Sequence, residues 1–84
     1  MDFKTCKAII AKVENGEGVK FESATLEGVT YYVKQYENGN VCFEADRGEY
    51  GNINVWANYG MEKGMQLLSK LRNADMKTKQ LFGM

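Results

Sequence analysis

Glu44 and Asp46 have the spacing in this 84-residue chain that most directly suggests chemistry. Lying two apart in the alternating run VCFEAD, they project to one side of a strand, where a carboxylate pair can bind a cation or pass a proton. Such a pair more commonly forms a solvated edge, and that is the reading adopted. The chain has no histidine, so it lacks the commonest general base near neutral pH, His-based metal sites, and any Cys-His or Ser-His-Asp arrangement. Ser23 and Ser69 have no recognisable activating neighbour. Neither Cys6 nor Cys42 sits in a motif that lowers a thiol pKa, and their spacing matches no metal site. The stretch GMEKGM has glycines four apart with Lys63 between them, but not the length or the Lys-Ser/Thr ending of a phosphate-binding loop. The expectation is a protein that is not an enzyme, with no catalytic, cofactor-binding or metal-ligating residues.

The residues suited to binding lie in GVTYYVKQYENGNVCFEAD, residues 28–46, and in the strand that follows. Tyr31 and Tyr32 must point to opposite sides of a strand, and Tyr36 shares a side with Tyr32. Strict alternation places Tyr32, Lys34, Tyr36, Glu44, Trp56 and Asn58 together on one sheet face and Tyr31 on the other. Rings with a polar handle offer large contact area at little cost in rotamer entropy, so these six residues are the candidate partner-binding set.

The elements that position them follow from periodicity. Asp2 is an N-cap for a helix whose apolar stripe is Phe3, Cys6, Ile10 and Val13, with Ile9 beside it, ending near Glu14 before Asn15-Gly16. From Val19 the period becomes two. A first strand covers Val19 to Leu26, a second Val29 to Tyr36, a third Val41 to Asp46, and a fourth carries Ile53, Val55 and Ala57 inward with Asn54, Trp56 and Asn58 outward. Asn38-Gly39 between two alternating runs is a strong hairpin signal, read as a primed turn. Met61, Met65, Leu68 and Leu71 then mark a second helix, in which Gly64 suggests a close approach. Asn73-Ala74-Asp75 favours a break before the chain continues to Phe82.

Helix, four antiparallel strands, helix is the order of a two-layer α+β domain, residues 1–84, with a four-stranded meander sheet and both terminal helices packed on one face (α-β-β-β-β-α). This order resembles in outline the double-stranded-RNA-binding domain, a helix, three strands and a helix of similar size. GMEKGMQLLSKL at 60–71 departs from that family: it lacks the dense lysine cluster at the start of the final helix, and a fourth strand intervenes.

Hydrophobic residues are 44% and charged residues 26% of the chain, ordinary for a globular domain, and no apolar run reaches the roughly 18 to 20 residues of a membrane-spanning helix. The N-terminus lacks the apolar centre of a signal peptide, and two cysteines are too few for a disulfide framework, so the expectation is a cytoplasmic protein with reduced thiols and no membrane contact. Charge is unevenly spread. Residues 1–12 hold three Lys and one Asp, residues 13–60 three basic and eight acidic groups, and residues 61–84 five basic and two acidic.

Three roles fit. The first is a protein-binding inhibitor or adaptor that blocks a nucleic-acid-handling host protein, as small proteins of bacteriophages and other mobile elements do, with the acids matched to a basic partner site. The alternative is single-stranded or structured nucleic acid binding, by stacking on Tyr32, Tyr36 and Trp56 and through basic helices. Neutral net charge weakens that alternative. The third is a homodimer formed through the sheet face or the apolar tail Leu81, Phe82 and Met84.

Overall fold

The computed structural model describes residues 2–60 and 64–84, apart from the side chains of Asn58, Tyr59 and Met65. Helix α1 runs Phe3–Glu14, followed by strands β1 Val19–Glu22, β2 Thr30–Gln35, β3 Asn40–Asp46 and β4 Asn52–Gly60. A 3-10 turn at Gly48–Tyr50 joins β3 to β4, and helices α2 Gly64–Arg72 and α3 Ala74–Phe82 complete the chain. The sheet is an antiparallel meander in the order β1-β2-β3-β4. The expected α+β two-layer architecture is thus the observed one, with the C-terminal helix divided in two. Met61 lies outside the described residues, as does the side chain of Met65.

Local chemistry sets the element ends. The Asp2 carboxylate accepts from the Thr5 N–H at 2.7 Å, satisfying one of the free donors of the first turn of α1. Strand β1 stops at Glu22, four residues sooner than alternation suggested. Ser23 Oγ accepts from the N–H of Thr25 (3.2 Å) and of Leu26 (2.8 Å), and this local turn outcompetes the ladder. The hairpin between β2 and β3 forms where expected but with a different turn. Gly39 N–H donates to the Tyr36 carbonyl at 2.9 Å and Gly39 takes φ 84°, so Glu37 and Asn38 are the central pair of the turn and the glycine follows it in the left-handed region. The break at Asn73 is present, its side-chain amide donating to the Ser69 carbonyl at 3.1 Å. Among the described residues, a Cβ built on Gly64 meets nothing within 4 Å, so none of them makes the close approach expected there.

The core lies between the sheet and the three helices. Cys6, Ile9 and Val13 of α1, Leu67, Leu68 and Leu71 of α2, and Ala74 of α3 pack with Tyr31, Val33, Val41, Phe43, Ala45 and Val55. Phe3, expected in the buried stripe, is 46% exposed with Lys7 Nζ over its ring at 5.5 Å; Ile9 occupies the buried position instead.

Candidate partner-binding face

Register pairs build the open side of the sheet in rows. Glu22 stands opposite Thr30, Thr30 opposite Asp46, and Asp46 opposite Asn52. The next row is Lys20, Tyr32, Glu44 and Asn54, and the third begins with Lys34 opposite Cys42. Within the described residues the three helices all pack on the other side, against β1, β2, β4 and one another. Tyr32, Lys34 and Glu44 are half-buried among their neighbours and Tyr36, just past the end of β2, is exposed.

Each tyrosine of this face carries one of its lysines. Lys20 Nζ lies 5.9 Å from the Tyr32 ring centroid and Lys34 Nζ 5.7 Å from that of Tyr36. The Tyr32 ring leans over the start of β1, where a Cβ built on Gly18 would stand 2.9 Å from its Cε2 and Cζ; only glycine leaves room for the ring. Two shallow depressions meet at Glu44. One of about 590 Å³ is lined by Lys20, Thr30, Tyr32, Glu44, Asp46 and Asn52. The other, about 420 Å³, lies among Tyr36, Asn38, Cys42, Glu44, Asn54 and Ala57. Glu44 and Asp46 do share a side, as their spacing required. Among the described residues no group of three His, Cys, Asp or Glu is placed to hold a metal ion.

Trp56 is not on this face. The register of β3 with β4 slips between Glu44↔Asn54 and Phe43↔Trp56, so that Val55 and Trp56 together oppose Phe43. Such a bulge turns two successive side chains to one side and reverses the alternation as far as a second slip, between Phe43↔Trp56 and Val41↔Tyr59. Val55 is buried, and Trp56 packs partly buried against the core with its ring 5.4 Å from that of Phe43 and Lys70 Nζ 5.3 Å above it. Phe21, Tyr31, Phe43 and Trp56 form an aromatic row across all four strands, with successive centroids 5.4, 5.1 and 5.4 Å apart. Burying the large indole in that row is the physical reason to correct its placement. Ala57, expected inside, instead lines the Tyr36 depression. The Asn58 side chain lies outside the described residues.

A polar knot lies beneath the sheet. Asp75, in the first turn of α3, accepts from Ser23 Oγ (2.6 Å) and the Tyr31 hydroxyl (2.5 Å) on one oxygen and from Thr25 Oγ1 (2.7 Å) on the other. Burial disfavours the Asp75 charge, but the Ser23, Tyr31 and Thr25 donors outweigh it and hold its pKa below the usual carboxylate range. The Tyr31 phenol is pushed well above its ordinary value by burial first and by its bond to Asp75 second. Thr78, one turn on, is fully buried beside this phenol, near enough to influence its proton yet outside hydrogen-bond geometry. The only prior signal was Asp75 at a suspected helix start; nothing in the spacing linked residues 50 positions apart.

At the other end of α3, Phe82 packs against the core, and the Arg47 guanidinium lies 4.4 Å from the Tyr50 ring and 5.6 Å from that of Phe82. Leu81 and Met84 remain 46% and 40% exposed. No family model, no curated protein and no solved structure matches the chain. No described helix is long and apolar enough to cross a membrane.

Proposed function

We propose that this chain is a non-catalytic protein-binding module, an inhibitor or adaptor, that lays its bare sheet face on a basic surface of a partner protein. What supports the reading is the division of charge between the two layers. Residues 15–60, which supply all four strands and their connections, carry three basic and seven acidic side chains, whereas residues 2–14 and 64–84, the helix layer, carry seven basic groups and three acids. The face itself presents Glu22, Glu44 and Asp46 against Lys20 and Lys34, and both lysines are drawn over tyrosine rings. An acidic sheet steers toward cationic surfaces, and proteins that handle nucleic acids carry such surfaces. Tyr32 and Tyr36 supply the contact area, and Lys34 and Glu44 set the polar register.

The nucleic-acid alternative loses ground on the sheet, because the indole is turned away from Tyr32 and Tyr36 and a phosphate backbone would meet Glu44 and Asp46. The test is capture of partners from native cells, after nuclease treatment, by the intact chain and by Tyr32→Ala, Tyr36→Ala and Glu44→Lys variants of unchanged melting temperature. A protein held by the parent, released by rising salt, and lost from the variants supports the reading. A partner retained equally by all three variants refutes it.

A further inference from the structure

We propose that the depression beside Tyr36 is a seat for a guanidinium group, filled by an arginine of the protein that the sheet face engages. This rests on the reading of that face as a protein-binding surface, and it adds the chemistry of the anchor. A guanidinium needs a flat surface to stack on and acceptors arranged at its edge. The depression provides both. Tyr36, just past the end of β2, and Glu44 line it, with Asn54 opposite Glu44 in the β3–β4 register and its Oδ1 accepting from the Cys42 thiol at 3.4 Å. Among the described residues lining it there is no lysine or arginine. The β4 bulge makes the room, since it sends Trp56 to the helix side and turns the small Ala57 toward the open side.

Two further observations point to a cation. Lys34 holds its own ammonium 5.7 Å from the Tyr36 ring centroid, so this ring already takes a positive charge inside the chain. The seat also disfavours new negative charge. The Cys42 thiol is pushed up by burial and then by Glu44, and the Tyr36 phenol by the neighbouring thiolate of Cys42, by burial, and by Glu44 and Tyr32. Arginine fits better than lysine because the site is flat and open, with a ring and a carboxylate to meet a planar fork; a compact ammonium cannot use both.

The probe is a capped peptide of three arginines separated by glycines, titrated into the isotope-labelled intact chain and followed by backbone amide shifts. Its controls replace every arginine by citrulline, which keeps the shape without the charge, or by lysine. We expect shifts centred on Tyr36, Cys42, Glu44 and Asn54. We also expect binding about tenfold tighter for arginine than for citrulline, the scale of one charge-assisted pair, with lysine between. Glu44→Gln, with the rest of its spectrum unchanged, should erase most of that preference. Equal binding of the citrulline peptide, shifts on the helix layer instead, or an unaltered preference in Glu44→Gln overturns the seat. Partner capture separates the two ideas. If Tyr32→Ala abolishes capture but no arginine preference exists, the face stands and the seat falls. If the preference is present but capture ignores every face variant, the seat stands without that face reading.

Discussion

Replacing Asp75 by alanine removes a carboxylate that gathers three hydroxyl donors from residues 44, 50 and 52 positions away in sequence. Tyr31 is 1% exposed, so its hydroxyl is left buried without its acceptor, at a cost of about 1–3 kcal/mol. Ser23 and Thr25 lose bonds to a charge, but Thr25 is exposed and can turn to water, so together they add about 1 kcal/mol. The expected total is about 2–4 kcal/mol. A domain of this size holds about 4–13 kcal/mol in all, so the melting temperature should fall by about 10 °C or more. Asp75→Asn keeps an acceptor oxygen and should cost about half as much. In a double-mutant cycle Asp75→Ala and Tyr31→Phe should fall short of additivity by about 1 kcal/mol, because they remove the same bond. The pH dependence has a definite sign. Asp75 has a depressed folded pKa, so its contribution is present above the unfolded value of about 3.9 and is lost as pH falls through the folded value. Tyr31 has a raised pKa, so its contribution is intact below about pH 10 and declines as pH rises beyond that, a decline that Tyr31→Phe should abolish. Urea melts of each variant across pH measure all of this. A loss below about 0.5 kcal/mol for Asp75→Ala, within the range of ordinary surface changes, would refute the reasoning.

The bulge predicts that Trp56, the one tryptophan, emits at shorter wavelength than an exposed indole and resists acrylamide quenching, and that the arginine peptide leaves its emission unchanged. A fully quenchable indole would place it back on the open face. Gly18→Ala should force the Tyr32 ring away from β1, altering its ring resonances and weakening partner capture, at a stability cost below about 1 kcal/mol because a side-chain end can swing. Cys42 should alkylate slowly near neutral pH and faster in Glu44→Gln, while Cys6, fully buried with a pKa raised by burial, should react only on unfolding.

How much of this was legible in the sequence depended on the range of the interaction. The Asp2 cap, the Asn38-Gly39 hairpin and the break at Asn73 are written in residues within four positions of one another, and each occurs where the local signal lies. Alternation assigned the faces of β2 and β3 correctly, since period two needs no partner to be read. It failed in β4 because a bulge is set by what the neighbouring strand requires: after Asn54, filling the space beside Phe43 with an indole outweighs keeping the ladder regular. The slip between Asn54 and Trp56 moved Trp56 out of the candidate site and Ala57 into it. The Asp75 knot was unreadable for the same reason, since its parts come together only once α3 is docked.

The knot and the open face are joined through two adjacent residues. Tyr31 points down to Asp75 and Tyr32 points up over Gly18, so the bond that pins β2 to α3 also fixes the backbone on which the upper ring stands. An open sheet face with few large side chains cannot hold its shape by packing on that side, and its rigidity must come from below. Phe21, Tyr31, Phe43 and Trp56 supply that support strand by strand, and Asp75 adds a directional tie at the strand carrying Tyr32. Loss of the knot should therefore weaken partner capture under conditions where the variant is still folded, by loosening β2 and lowering the fraction of molecules with Tyr32 in place. If Asp75→Asn, fully folded at the assay temperature, captures partner as well as the parent, the two sides of the sheet are mechanically independent and this coupling is wrong.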